Sequence, residues 1–356
     1  MKKEIIIVIN PGSTSTKVAL YMRQGEVDST SIRHSQENLD AFVRIPEQFD
    51  FRYGTVMETV RQMLQRDTYR VAGIVGRGGI VKPLAGGTYR INEAFLKDAR
   101  EGSYGDHASN LGSLIADKLK DEFGLEHSYT VDPVSSGNMW QKAEISGVPG
   151  IKRAGRGHPL NMKMTARKIA AKQGIPFEET IYVIAHLGGG ISISLVEGGK
   201  FVDVNDALLG MGPFSPNRAG ALPLRGVMDL CYSRPRNELT ALLSKNSGLK
   251  AYLGTEDIRE VLQMIQEGNE KAGLIYEAFV YQIAKETGAY FAASKARAQA
   301  IIITGGIAHN EQFNDDLRSY VGSLTEFHIY PGENEMEALA EGTFRVIDGQ
   351  EEALEY

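Results

Sequence analysis

One local plan occurs twice in this chain, and it limits the folds open to it. Residues Glu4–Ile9 are nearly all apolar, a turn rich in Gly, Ser and Thr follows, Lys17–Met22 reads as a second strand, and a third lies near Glu26–Ser31. Uninterrupted apolar runs of this kind suit a central strand buried on both faces. The plan recurs about 175 residues later, a spacing too long for solenoid repeats. There Ile181–His186 is apolar, Gly188-Gly189-Gly190 turns the chain, Ile191–Val196 is β-branched, and Gly198-Gly199 turns it again into Phe201–Val204. Two similar domains, each opening on a hairpin-like strand pair, account for the recurrence. The 356 residues are enough for two domains of roughly 100–200 residues each.

Helical patterns fill the gaps. Thr55-Val56-Met57-Glu58 has the form of a capping box, with Val60, Met63 and Leu64 continuing an apolar face. Thr165–Gln173 stops at Gly174 with Pro176 beyond. Thr255–Gln266 carries Ile258, Val261, Leu262 and Ile265 on one side, and Glu270–Arg297 is a long apolar stretch expected to form the spine of the second domain. Ala300–Thr304 reads as a buried strand before Gly305-Gly306. Strands alternating with helices indicate an α/β architecture. No low-complexity linker separates the halves. The boundary is expected near 160–175, giving domains 1–165 and 166–340, with the tail, about 340–356, a candidate to return to the first.

A formal net charge of −6 offers no electrostatic footprint for nucleic acid or an anionic membrane, so an anionic substrate needs a local cluster of cations. The single cysteine, Cys231, excludes an intrachain disulfide and fits a reducing cytosol. The apolar run Ile5–Ile9 is too short for a signal-peptide core and ends at Asn10-Pro11. No segment approaches the roughly 18 uninterrupted apolar residues of a membrane helix. These features read as a soluble cytoplasmic protein.

Three turns directly follow apolar strands: Asn10-Pro-Gly-Ser-Thr-Ser-Thr-Lys17, His186-Leu-Gly-Gly-Gly190 and Thr304-Gly-Gly-Ile-Ala-His309. Glycine lets backbone N–H groups approach a polyanion, and Ser, Thr and Lys side chains add donors. Any one of these is more often a plain tight turn. Three in the same position favour a phosphate-binding lining. The chain has no G-x-x-x-x-G-K-[ST] loop, no G-x-G-x-x-G after a strand, no zinc spacing of Cys and His, and no G-x-S-x-G elbow. A P-loop protein, a dinucleotide-binding fold, a zinc site and a serine hydrolase are thereby disfavoured.

The segment NPGSTSTK at 10–17 resembles the first phosphate motif of the acetate and butyrate kinase family. AHLGGGISIS at 185–194 is similar to its second phosphate motif, and ITGGIAHN at 303–310 to its adenosine motif. GRGG at 76–79, KPLAGGTY at 82–89, YGDHASNLG at 104–112, GPFSPNRAG at 212–220, AYLGTEDIREV at 251–261 and YPGENEMEALAEG at 330–342 resemble the butyrate-type branch in collinear order. The resemblance implies an α/β fold of two duplicated actin-like ATPase domains, ribonuclease H-like in type, with the nucleotide in the cleft between them. It implies ATP/ADP and Mg²⁺, and reversible transfer of the γ-phosphoryl group to a short-chain carboxylate such as butyrate, isobutyrate or a similar branched acid, giving an acyl phosphate. It also implies a homodimer or larger homo-oligomer. An acetate or propionate kinase, or a non-kinase ATP-binding protein of the same fold, would share most of these motifs.

Roles carry over residue by residue. The resemblance places nucleotide phosphates and adenosine on Asn10, Ser13, Ser15, Lys17, His186, Gly188, Gly189, Gly190, Gly305, Gly306, Ile307 and Asn310. His186 reads equally well as a residue that only orients its loop. Arg77 matches the family arginine on the substrate carboxylate, which a guanidinium grips at two points. Arg218 and His158 match groups at the transferring phosphoryl, and Asp132 a cleft aspartate read as a magnesium partner and positioning group. Glu335 matches the metal glutamate, with Glu333 and Glu337 as rivals and an acidic helix start as its plain reading. The chain departs from the family after Asp132, where Pro133–Trp140 replaces an apolar and acidic run, and at Gly157-His-Pro-Leu-Asn161. Both departures bear on the size of the acid. Trp140, the sole tryptophan, reads as pocket lining or as core.

Overall fold

The computed structural model describes residues 3–356; Met1 and Lys2, the start of the first expected domain, lie outside the described residues. The chain divides into two compact units, Met1–Gly137 with Asn334–Tyr356, and Asn138–Glu333. The division thus falls earlier than the boundary expected at 165.

In the first unit the elements are β1 (Lys3–Pro11), β2 (Ser15–Met22), β3 (Gly25–Arg33), α1 (Gln36–Asp40), α2 (Phe49–Leu64), β4 (Tyr69–Gly76), β5 (Thr88–Arg90), α3 (Glu93–Glu101), α4 (Asn110–Glu122) and β6 (Tyr129–Val131). They build a sheet of order β3-β2-β1-β4-β6-β5, in which β1, β2 and β3 form an antiparallel meander and β4 and β6 run parallel to β1. Ile5 to Ile9 are all fully buried, because both faces of β1 are covered. Ile5, Ile7 and Ile9 pack with Val56, Met57 and Val60 of α2 and with Leu111 and Ile115 of α4.

The second unit carries α5 (Gln141–Glu144), α6 (Pro159–Gln173), β7 (Ile181–Leu187), β8 (Ile191–Glu197), β9 (Lys200–Val204), α7 (Leu224–Ser233), α8 (Arg236–Lys245), α9 (Gly248–Leu253), α10 (Ile258–Gln266), α11 (Glu270–Ala293), β10 (Ala300–Gly305), α12 (Glu311–Val321) and β11 (Glu326–Pro331). Its sheet has the order β11-β10-β7-β8-β9. The first unit's plan repeats here: an antiparallel meander β7-β8-β9, then β10 and β11 parallel to β7. Side chains alternate along β7 as a strand requires. Val183, Ala185 and Leu187 meet Phe279 and Ile283 of α11, whereas Tyr182 and Ile184 meet Met162, Ala166 and Ile169 of α6. That contact is why α6 belongs with the second unit.

The chain then returns to the first unit as α13 (Glu335–Ile347), which packs on the second face of its sheet along β1, β4 and β6. Gly73 in β4 leaves room for Ile347 and Thr343 of that helix.

Several element ends differ from the sequence reading. Helix α2 starts at Phe49, so Thr55 lies inside it and bonds back to the Arg52 carbonyl (2.9 Å) instead of capping. Phe49 and Tyr53 stack and extend the apolar face one and a half turns upstream. Helix α6 starts at Pro159, the ring occupying the first turn where its missing N–H costs nothing. Helix α10 is capped by Asp257, not Thr255. Helix α11 stops at Ala293, since Lys295 and Ala296 take left-handed backbone angles (φ 60° and 56°) to turn the chain into β10. Among the described residues no helix is long and apolar enough to cross a membrane.

Candidate active site

In the first unit the turn between β1 and β2 is closed by Gly12 N donating to Ser15 O at 2.7 Å, with Asn10 and Lys17 paired across the hairpin. Ser13 and Lys17 are exposed. Asn10 Nδ2 donates to Glu335 Oε2 at 2.8 Å, and Arg77 forms an ion pair with the same oxygen. The groups matched to nucleotide, acid and metal are therefore in contact within this unit. Their meeting follows from the sheet: Arg77 leaves the end of β4 with its backbone N–H on Ile9 O (2.9 Å), and Glu335 opens α13.

Two glycines of GRGG hold Arg77 close to the fold. A Cβ on Gly76 would lie 1.9 Å from the Gly112 carbonyl oxygen, and one on Gly79 would lie 1.8 Å from Asn110 Oδ1. Asn110 Oδ1 also accepts from Ile80 N at 2.8 Å, tying the turn to the start of α4. His107, which lies within YGDHASNLG but takes no role from that resemblance, is near enough to Arg77 and Glu335 to feel both charges. Its pKa is lowered by desolvation first and by Arg77 second, with Glu335 opposing.

Asp132 follows β6 and is buried. It has φ 40°, a left-handed conformation that a side chain makes costly. Its N–H donates to Gly87 O and its Oδ1 accepts from Gly87 N, both at 2.9 Å. The strained aspartate is thus locked by a two-way bridge.

In the second unit, the Gly188–Gly190 turn and the Gly305–Asn310 turn border one cavity of about 720 Å³, inside the usual range for a small-molecule site. Gly188, Gly189, Gly306, Ile307 and Asn310 all line it, as do Glu256, Asp257, Arg259 and Glu333. Gly305 packs against Leu187 O, where a Cβ would lie 2.4 Å away, so the two turns sit side by side. Asn310 also caps α12 by accepting from Phe313 N at 2.8 Å.

Arg218 lies beside the first of these turns. A Cβ on Gly190 would fall 2.3 Å from its Nη1, so the glycine makes room for the guanidinium. Nη1 donates to Ala207 O (2.5 Å), while Ser215 Oγ takes the Arg218 N–H (3.2 Å) and donates to Gly189 O (2.7 Å). Arg218 Nε is buried with no hydrogen-bond partner among the described residues, and burial lowers the guanidinium pKa, with Asp206 opposing. An orphaned buried donor on a half-buried cation is what an incoming phosphoryl oxygen would satisfy.

His158 and His186 stack with ring centroids 4.0 Å apart and planes 13° from parallel. His158 Nδ1 pairs with Ser192 Oγ at 2.9 Å. Asn161 Nδ2 donates to His186 Nδ1 at 2.9 Å, which puts a neutral His186's proton on Nε2, and contacts Thr304 Oγ1 and Gly332 O at 3.2 Å each. Trp140 packs against the core of this unit.

A family model described as the acetokinase family matches residues 143–345. Over 353 residues the chain is 41% identical to "Butyrate kinase 2" of Clostridium acetobutylicum, with 99% of each chain covered. This chain belongs to the acetokinase family. It is also 42% identical to a "Probable butyrate kinase" of Listeria monocytogenes, again over 99% of both. Among solved structures, acetate kinase from Porphyromonas gingivalis superposes with a TM-score of 0.76 at 18% identity, covering 96% of this chain and 99% of that one. A propionate kinase from Francisella tularensis gives 0.73 at 18% identity and the same coverage. The fold is therefore that of the acetokinases, α/β with the actin-like sheet plan in both units.

The cavity wall of this acetokinase at Glu256–Arg259 falls within AYLGTEDIREV, yet the motif points to no ligand there. A cap at the start of a helix explains Asp257 locally, so no residue in the segment signals a ligand until the fold places it in the cavity that Gly188 also lines.

Proposed function

We propose that this acetokinase acts as a butyrate kinase, transferring the γ-phosphoryl group of ATP to butyrate, isobutyrate or a similar short branched acid, reversibly. The observation that carries this is the convergence of the Gly188–Gly190 and Gly305–Asn310 turns on one cavity, with Arg218 seated on Gly190. Full-length identity to relatives named as butyrate kinases supports the choice of acid.

In this reading a carboxylate oxygen bonds to the γ-phosphorus as the bond to the bridging oxygen breaks, and ADP leaves with the electron pair. The acid needs no general base, since carboxyl groups titrate near ~4 and are already ionised at neutral pH. Positioning and charge neutralisation do the rest. Arg218 and His158 meet the transferring group, Arg77 grips the carboxylate, and Asn10, Ser13, Ser15 and Lys17 take phosphate oxygens. His186 orients the second turn and presents Nε2–H beside it. Asp132 positions the reactants.

Magnesium is commonly held by one or two carboxylates together with substrate phosphate and water. Glu335 fits that donor set, with Asn10 and Arg77 both on its Oε2; Asp132 is its proposed partner at the metal, and Glu333 in the cavity wall and Glu337 are the rivals of Glu335. The bound metal would neutralise phosphate charge. A cytoplasmic location and a homo-oligomer complete the reading, and sedimentation above the mass of one chain would support the latter.

The test is acyl-phosphate formation, trapped as hydroxamate, with ATP and Mg²⁺ across acids from acetate to valerate and their branched isomers. A maximum at four or five carbons is expected. A maximum at acetate or propionate would replace butyrate with the shorter acid, and no product from any of them would remove the kinase reading.

A further inference from the structure

Arg52 of α2 is 1% exposed, yet it takes no part in the roles above. Its guanidinium donates to Gly12 O (2.8 Å), Ser13 O (2.8 Å), Ser15 O (3.2 Å), Thr16 Oγ1 (3.2 Å) and Gln48 Oε1 (2.9 Å). Every acceptor is uncharged. Buried arginines are ordinarily paired with a carboxylate. Here burial pulls the pKa below its ordinary value with no carboxylate opposing it, and a guanidinium keeps its proton regardless. Nearby His34 is held neutral, its pKa lowered to about 4 by burial and by Arg52, while its Nε2 pairs with Thr16 Oγ1 at 2.9 Å.

Three of the five bonds fall on the carbonyls of one turn, the 10–17 segment. In a trans peptide the N–H points opposite to the C=O. Gly12 O and Ser13 O face Arg52, so the N–H groups of Ser13 and Thr14 face away from it, on the side where both residues are exposed. The result is a pair of successive turn donors with a cation behind it that no carboxylate among the described residues is seen to pair, the kind of arrangement that binds anions.

We propose that Arg52 is a positioning residue for nucleotide phosphate: it fixes the 10–17 turn by its carbonyls and supplies a permanent positive charge behind the donors. The inference rests on the reading of that turn as a phosphate site. It adds that the turn's affinity comes in part from a side chain that never touches the ligand.

The test is calorimetric measurement of Kd for ATP and for AMP on the full chain. AMP lacks the β- and γ-phosphates and reports on adenosine and the α-phosphate only. Arg52→Gln is expected to weaken ATP by about tenfold or more and AMP by less than about threefold, since one charge acts over a few ångströms of partly screened medium. Arg52→Lys keeps the charge but loses the planar fork that holds the turn's carbonyls, so its ATP loss is expected to be smaller than that of Arg52→Gln and again larger than its AMP loss. Equal losses for ATP and AMP, or an equal ATP loss in both variants, would overturn the charge role. If Arg52→Gln does not fold, Arg52→Lys carries the test alone, and equal losses for ATP and AMP, or no ATP loss at all, sink the proposal. Ser13→Ala/Lys17→Ala is the control on the underlying reading. If that double variant loses ATP while Arg52→Gln does not, only the Arg52 proposal falls. If the double variant binds ATP normally, the phosphate reading of the turn fails and takes the proposal with it.

Discussion

Arg218 and Arg77 are both partly buried cations, but their surroundings differ and so should their variants. Arg218 has an orphaned Nε beside Gly190. Arg218→Ala is expected to lower kcat about 10³-fold or more, in line with arginines on transferring phosphoryl groups, while the Kd for ATP moves only a few-fold. Unchanged turnover would remove the central assignment. Arg77 already holds a carboxylate, that of Glu335. Arg77→Ala is expected to raise the KM for the acid about tenfold to a hundredfold, the worth of a charge-assisted hydrogen bond, with a smaller change for ATP. A selective loss for ATP would reassign it. At this scale the motif residues could be proposed from the sequence because their types limit what they can bind. Arg52 was not: nothing in Phe-Arg-Tyr-Gly on an amphipathic helix distinguishes a surface arginine from one inserted beneath a turn 36 to 40 residues earlier.

At the scale of elements, close approach of backbones decides where the groups sit. Gly76 ends β4 against the Gly112 carbonyl in α4, and Gly112 in turn faces Arg77 O, where a Cβ would lie 2.4 Å away. Gly76→Ala is expected to cost about 3 kcal/mol by overpacking, read from denaturant midpoints. A cost under about 0.5 kcal/mol would mean that the helix yields easily. His34, just past β3, links that strand's end to Thr16 of β2. Its imidazole takes a proton near 6.5 when free and only at about 4 when folded. Between those values the unfolded chain binds more protons, so acidification from pH 6.5 to pH 4 destabilises the fold. His34→Asn should flatten that fall in Tm across the window, and an unaltered slope would remove His34 as its source.

Each unit has its own core, one around Ile5, Ile7 and Leu111, the other around Ile193, Phe279 and Ile303. Trp140, the only tryptophan, lies in the second unit, which also contains the cavity with the two glycine turns. Tryptophan fluorescence therefore follows the unfolding of the unit that holds those turns. AMP at about a hundred times its Kd is expected to stabilise that transition by about 2.7 kcal/mol. No shift at saturating AMP would place the adenosine elsewhere.

The sequence alone determined the doubled α/β plan, the family, and the residue types proposed for the chemistry. Those properties are local: apolar runs bury strands, glycine permits tight turns, and a motif is a short string. The tertiary structure decided the rest. It drew α6 to the second unit through Met162 and Ile169 and returned α13 to the first. It set Glu335 on Arg77, put Asp257 and Gly188 on one cavity, and slid Arg52 under the 10–17 turn. Those are contacts between residues tens to hundreds of positions apart, and their energy depends on burial and distance, which exist only once the chain has folded.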